Sequence, residues 1–334
     1  MQAAVRDEYG PPDVVRVEDI PTPTPVGDEV LARVHAASVN RADLDNLYPR
    51  WAFLRLLLGL RRPRNRRIGL DVAGVVEAVG PEVTGLHVGD RVLADLYEHG
   101  LGALAEYVCA RERAFLPIRV ELSFEDAAAL PHSAVLALQG LRLGRGRRSV
   151  GAGDHVLIVG ASGNVGPFAV QLAKHAGATV TGVCRTEKMD FVRAQGADEV
   201  IDYTVNDPLT TGGPYDWILD VDGNVSMSRA RAALRPKGVY LTLGGTGRGI
   251  LSALVLGPLL SMSSGGRRVG LMLAWKPFAA DDVATLQALV ADGTLRPPID
   301  RRYPLAEVAD ALRHLDEGRS RGKVLVIPPD AAPA

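Results

Sequence analysis

Cysteine is nearly absent: the 334 residues hold two, Cys109 and Cys184. Two thiols so far apart build neither a disulfide framework nor a cysteine-based zinc module, so a reducing compartment is expected. Lysine is scarce as well, five residues in a Lys+Arg total of 38, so the positive charge is almost all arginine. The net charge is only −1, which argues against nucleic acid as a partner. No apolar run approaches the roughly twenty residues of a membrane span. The opening Met1-Gln2-Ala3-Ala4-Val5-Arg6 lacks the apolar stretch of a secretory signal, and a cytoplasmic location is expected. The seven histidines (35, 87, 99, 132, 155, 175 and 314) show no ligand-like spacing, so no metal is expected.

What is present starts at Val156-Leu157-Ile158-Val159-Gly160-Ala161-Ser162-Gly163-Asn164-Val165-Gly166. Four consecutive apolar residues mark a parallel strand buried on both faces, and Val165, Phe168, Ala169 and Leu172 continue the turn into a helical pattern. Strand, turn and helix in this order place the turn at the carboxyl edge of a parallel sheet, where such sheets bind ligands. Gly163 and Gly166 occupy the second and third glycine positions of the dinucleotide fingerprint, with Ala161 in place of the first. The next strand, 178–184, leads into Arg185, where the fingerprint expects the group that meets the adenosine ribose. Arg185, Thr186 and Lys188 offer cations to a 2′-phosphate, so NADPH is expected over NADH; Glu187 is the opposing residue.

The rest of the chain divides around this turn. Up to about Leu122, short runs at 14–17, 29–34, 72–79, 88–93 and 106–108, separated by Pro and Gly, predict an antiparallel β domain. The segment 51–67 joins an apolar half to an arginine-rich half and is read as a pocket lid. Ser123 and Asp126 form a capping box that opens a helix, Pro131-His132-Ser133 interrupts it, and the helical pattern resumes through Leu138, Leu141 and Leu143. Strands at 199–202, 217–221, 239–243 and 269–274 alternate with helical patterns, as in a doubly wound parallel sheet. A helix at 281–291, a segment at 299–305 that returns to the first domain, a helix at 306–317 and a strand at 323–327 follow, then a disordered tail. The expected domains are 1–122 with 298–334, and 123–297.

Eight stretches, in order, resemble one superfamily: Ala37-Ser38-Val39-Asn40-Arg41-Ala42-Asp43, Gly69-Leu70-Asp71-Val72-Ala73-Gly74, Gly89-Asp90-Arg91-Val92, Ala105-Glu106-Tyr107-Val108, Ala127-Ala128-Ala129-Leu130-Pro131, the turn at 160–166, Gly196-Ala197-Asp198 and Arg321-Gly322-Lys323. Together they resemble the medium-chain dehydrogenase/reductases, in particular the zinc-independent quinone oxidoreductase branch. The resemblance implies an α/β protein: a chaperonin-10-like antiparallel β domain, completed by the last segment, and a Rossmann domain that binds NADPH. It also implies a homodimer through 269–274.

Site residues carry over from the same resemblance. Ser162, Gly163, Asn164 and Val165 would offer amides to the pyrophosphate, and Arg185, Lys188 and Tyr203 would surround the adenosine phosphate. Arg321 resembles a further arginine for that phosphate, and Gly244 with Gly245 would pass close to the nicotinamide. Plainer readings stand beside these: Tyr203 as a surface aromatic, Arg321 and Lys323 as a solvated pair. In zinc alcohol dehydrogenase relatives a cysteine stands at the position of Asn40 and a histidine at that of Leu70, so the catalytic zinc is not expected here. Without a Lewis acid, simple alcohol oxidation is disfavoured and hydride addition to a quinone or conjugated alkene remains. Asn40 is read either as a hydrogen-bond partner for the acceptor carbonyl or as a turn-stabilising residue. Tyr48 is a candidate acid. His132, where relatives carry an apolar residue, is read as a substrate-side residue, and Leu136 replaces a threonine.

These observations support an NADPH-dependent reductase of quinones or α,β-unsaturated carbonyl compounds. Two alternatives stay open: an enoyl reductase acting on a carrier-bound intermediate, with the 61–67 arginines meeting an acidic carrier, and a non-catalytic NADPH-binding protein.

Overall fold

The computed structural model describes residues 1–49, 59–143, 148–244, 257, 261, 266–272, 276 and 278–329. The chain forms two compact units, Met1–Val135 with Pro277–Ala334, and Leu136–Lys276. These limits differ from the 122/123 and 297/298 boundaries expected from the sequence.

The first unit contains β1 (Gln2–Val5), β2 (Arg16–Asp19), β3 (Glu29–Val39), β4 (Asp71–Val79), β5 (Arg91–Asp95), β6 (Tyr107–Arg111) and β7 (Phe115–Pro117), with α1 (Arg41–Leu47) and α2 (Phe124–Ala129). A helix that starts in this unit, α3 (Ser133–Gly140), ends in the second. β3 is the axis of the first unit: it pairs antiparallel with β4 along most of its length and with β6 over its first half. Residues 30–32 and 34–39 of β3 are all buried, as in a strand covered on both sides. The sequence-derived strand at 14–17 begins later, at Arg16, because Pro12 to Val14 close a short 3-10 turn. Ser123 Oγ accepts from the Asp126 amide at 3.0 Å and starts α2, as expected from the capping box. Ala127, Ala128 and Ala129 then lie fully buried, and α2 rests on β3 and β4. Short side chains let the helix approach the sheet closely.

The second unit alternates strand and helix: β8 (His155–Val159), α4 (Gly166–His175), β9 (Thr179–Cys184), α5 (Met189–Ala194), β10 (Glu199–Asp202), α6 (Pro208–Thr211), β11 (Tyr215–Asp220), α7 (Met227–Ala233), β12 (Leu234–Thr242) and β13 (Arg268–Leu271). All pairings are parallel, in the order β10, β9, β8, β11, β12, β13. The order reverses between β8 and β11, which is the switch point where open parallel sheets bind ligands. Helix α3 stops at Gly140 rather than running on through Leu141 and Leu143. There the indole Nε1 of Trp217 donates to the Gly140 carbonyl at 3.1 Å and satisfies one of its terminal acceptors.

The chain returns to the first unit through α8 (Ala280–Ala291), β14 (Ile299–Pro304), α9 (Val308–Asp316) and β15 (Lys323–Ile327). β15 lies between β14 and β3, so the end of the chain completes the amino-terminal sheet.

Candidate cofactor and acceptor sites

The turn between β8 and α4 sits at the carboxyl end of β8, and its glycines have different duties. Gly160 adopts φ +81, the left-handed conformation that L side chains rarely take. The glycine that turns the chain is therefore Gly160, one residue before Ala161. A Cβ at Gly166 would lie 2.2 Å from the Gly160 carbonyl oxygen and 2.5 Å from the Ala161 Cα, so only glycine permits this contact between helix and turn. Gly163 is different. A Cβ there would meet nothing nearer than the Gly160 oxygen at 3.6 Å, so packing within the chain does not demand a glycine. A backbone that must approach a pyrophosphate does. Helix α4 begins without a side-chain cap at Val165, and Ser162, Asn164 and Val165 flank Gly163. An uncapped helix start with a bare backbone beside it suits a phosphate.

At the end of β9 the structure brings Arg185 and Tyr203 together. The Arg185 Nε donates to the Tyr203 hydroxyl at 2.7 Å, and both side chains are exposed. That hydrogen bond raises the Arg185 pKa further, so its charge is permanent. Lys188 is buried at the start of α5. The nearby carboxylate of Asp202 is taken up by the Thr186 hydroxyl and by the Thr204 hydroxyl and amide, which lower its pKa. Asp220, at the end of β11, escaped the sequence reading. It is fully buried and accepts from the amides of Gly223 and Val225 at 2.8 and 3.0 Å and from the Tyr240 hydroxyl at 3.0 Å, which shapes the loop beside the switch point. Gly244 has open space around a Cβ position, and Gly245 lies outside the described residues.

The first unit holds a second group of functional residues, built by strand register. Ser38 of β3 faces Asp71 of β4, and Asp71 faces Asp95 of β5, so three polar side chains line up across adjacent strands. Lys323 begins the neighbouring β15. Its ammonium, with no exposed surface, donates to Asn40 Oδ1 at 2.7 Å, Asp71 Oδ2 at 3.1 Å and Ser133 Oγ at 3.2 Å. Asn40 Nδ2 donates to Asp71 Oδ2 at 2.9 Å, and Ser133 Oγ donates to Asn40 Oδ1 at 3.0 Å. The amide of Asn40 is thus spent inside the chain. Lys323 is a buried cation, not half of a solvated pair. The missed signal was a lysine opening an otherwise apolar strand and an aspartate opening another at the same end of the sheet.

His132 joins this group from the break between α2 and α3. Its amide donates to Asp71 Oδ1 at 3.2 Å, and its ring Nδ1 lies 2.9 Å from Asp95 Oδ2. Burial works against the charged imidazole, but the hydrogen bond and charge of Asp95, aided by Asp71, outweigh it, and the His132 pKa is raised. Burial lowers the pKa of the Lys323 ammonium and raises that of the Asp71 carboxyl, each opposed by the other's charge. Asp43, wholly buried at the start of α1, accepts from the Asn40 amide at 2.7 Å, and burial pushes its carboxyl up to about 8.

The ligating atoms of Asp71, Asp95 and His132 come within 4.8 Å of one another, which raises the question of a metal. The donor set does not fit catalytic zinc. Asp71 Oδ2 already accepts from Ser38 Oγ, Asn40 Nδ2 and Lys323 Nζ, and His132 Nδ1 is engaged with Asp95. The ammonium, 3.1 Å from Asp71 Oδ2, would repel a metal cation at that oxygen. Leu70 beside it is fully buried and offers no ligand. Of the other expected site residues, Tyr48 donates its phenol proton to Asp316 in the first unit, and Arg321 is exposed ahead of β15, its amide donating to Asp300.

Comparison with known proteins agrees with this architecture. A family profile described as an alcohol dehydrogenase GroES-like domain matches residues 27–120, and one described as a zinc-binding dehydrogenase matches 195–326. The chloroplast envelope quinone oxidoreductase homolog of Arabidopsis thaliana is 31% identical over 317 residues, spanning 92% of each chain. The chloroplastic NADPH-dependent alkenal/one oxidoreductase of the same plant is 31% identical over 339 residues, 98% of this chain and 80% of that protein. Among solved structures, the quinone oxidoreductase from Coxiella burnetii superposes with a TM-score of 0.83 at 30% identity, covering 98% of this chain and 99% of that one. Sheet order, glycine turn and whole-length likeness converge: the chain belongs to the medium-chain dehydrogenase/reductases, in their quinone oxidoreductase-like branch.

Proposed function

We propose that this protein is a zinc-independent, NADPH-dependent oxidoreductase that reduces quinones or α,β-unsaturated carbonyl compounds by hydride transfer. The observation that carries the reading is the buried Lys323 ammonium on Asp71 and Asn40, which engages the carboxylate oxygen that a Lewis acid for alcohol oxidation would need. The names of the relatives support the acceptor class. The backbone of Ser162, Gly163, Asn164 and Val165 holds the pyrophosphate, and Arg185, Lys188 and Tyr203 hold the 2′-phosphate. Gly244 borders the nicotinamide. Bound there, the cofactor supplies the hydride. The chain's own work is to orient the acceptor, exclude water and provide a proton. Asn40 serves by fixing Lys323 and Asp71, and the Tyr48 hydroxyl is already committed to Asp316. The protein is a cytoplasmic homodimer in this reading.

One surface favours the carrier-bound enoyl substrate as a second reading: Arg61, Arg62 and Arg64 are exposed, whereas Arg66 is paired with Asp7 and Glu18. Acceptor panels separate the two. NADPH oxidation with free quinones or enones is expected, with a lower Michaelis constant for NADPH than for NADH and no metal dependence. Activity confined to saturated ketones or alcohols, or a stoichiometric zinc required for turnover, would overturn the proposal.

A further inference from the structure

A carboxylate stands behind the two side chains that would meet the 2′-phosphate. We infer that Asp202 is a positioning residue for the choice of NADPH over NADH, a clasp that sets Arg185 and Tyr203 in place for the 2′-phosphate, an assignment that rests on the NADPH reading proposed above.

The clasp lies where the sheet ends. β9 and β10 run parallel, and their register closes with Asp202 opposite Cys184. Arg185 and Tyr203 are the next residue on each chain, where the Tyr203 amide donates to the Cys184 carbonyl at 3.3 Å, longer than a usual N–H···O bond. Past that point side chains take over. Thr186 Oγ1 donates to Asp202 Oδ2, and the Thr204 amide and hydroxyl donate to Asp202 Oδ1 at 2.8 and 2.7 Å. Thr186 follows Arg185, and Thr204 follows Tyr203. One carboxylate therefore holds the residue after each member of the pair.

The two halves of the clasp differ in kind. The bond from the Thr204 amide closes an Asx turn, a local arrangement that aspartate makes in many loops. The bond from Thr186 crosses from one strand end to the other, and no turn accounts for it. Asp202 is buried, whereas Arg185 and Tyr203 are exposed, so the clasp lies beneath the pair and the pair faces solvent.

A carboxylate is an odd neighbour for a phosphate, since like charges repel. Here both of its oxygens are taken up by donors of the chain, so what it supplies is geometry. The Arg185 Nε is spent on the Tyr203 hydroxyl at 2.7 Å, which leaves the two Nη groups as a fork, the part of a guanidinium that matches a phosphate. A free exposed arginine gives up side-chain entropy when it binds, and one already held gives up less. NADH carries a hydroxyl where NADPH carries the phosphate, so this gain goes to NADPH alone.

Isothermal titration of the whole protein with NADPH and with NADH, beside melting without cofactor, provides the test. Wild type should bind NADPH more tightly than NADH. Asp202→Ala cannot accept at the clasp and Thr186→Val cannot donate; each should weaken NADPH about tenfold and leave NADH near its wild-type value. Asp202→Asn keeps Oδ1 for Thr204 and turns its amide toward the Thr186 hydroxyl, which accepts as well as donates, so it should retain the preference. Equal losses for both cofactors in Asp202→Ala and Thr186→Val would show that Asp202 only supports the fold, and overturn the assignment. A preference lost as fully in Asp202→Asn as in Asp202→Ala overturns it too, because charge and not the clasp would then decide. A wild type that prefers NADPH beside Ala and Val variants that keep the preference overturns the clasp and spares the NADPH reading. A wild type without that preference sinks both.

Discussion

Asp43 shows how much one buried carboxyl can govern. Its Oδ2 accepts from the Asn40 amide, while its Oδ1 is buried without a hydrogen-bond partner, so the ionised form is poorly served and the proton is retained up to about 8. An unfolded aspartate titrates near ~3.9. Between these values the folded state binds a proton that the unfolded state has released, so stability falls as pH rises through this window. The contribution is fully present below the unfolded pKa and lost as pH passes the folded one. Asp43→Asn keeps an oxygen for the Asn40 amide and cannot ionise. Calorimetric melting from about pH 5 to about pH 9 should therefore show a shallower fall of Tm for Asp43→Asn than for wild type. Parallel curves would mean that Asp43 is ionised in the folded protein. None of this was legible locally, because the sequence shows Asp43 only as the third residue of a helix start. Its burial is imposed by strands and a helix far along the chain.

Among the elements, the strand–turn–helix of β8 and α4 was legible because every signal in it is local. The apolar run sets the strand, the glycines set the turn, and spacing sets the helix. The register of β3, β4, β5 and β15 was not, since which residue faces which depends on pairing partners far apart in the chain, as Val39 and Val324 are. The polar row at Ser38, Asp71 and Asp95 exists only once that register is fixed. The turn itself makes a paired prediction about two glycines three residues apart. Gly166→Ala puts a methyl 2.2 Å from a carbonyl oxygen and should lower Tm or prevent folding. Gly163→Ala has room in the chain, so its Tm without cofactor should match wild type. Its affinity for NADPH should fall at least tenfold, about 1.4 kcal/mol, in isothermal titration, because the methyl stands where the pyrophosphate approaches. Wild-type affinity in Gly163→Ala would move the phosphate site elsewhere.

At the scale of the whole molecule, a parallel sheet six strands wide ends on β13, which among the described residues pairs only with β12. Its residues Arg268–Leu271 bring one buried valine, Val269, and a glycine and a leucine of intermediate exposure to the edge. The Val269 amide and carbonyl are hydrogen-bonded to the Ser261 hydroxyl, and an apolar strand edge is a template for another strand that proteins usually cover. A second copy related by two-fold symmetry is the simplest cover, because each copy offers the other the same edge. The net charge of −1 imposes little long-range repulsion on such a pairing. Sedimentation at micromolar protein should therefore give twice the 35.5 kDa chain mass. Leu271→Lys, which places a charge on that edge, should shift the population to monomer and leave the glycine turn and its NADPH affinity unchanged. A wild-type monomer across the accessible concentration range would refute the pairing, and a Leu271→Lys dimer as tight as wild type would place the interface on another face.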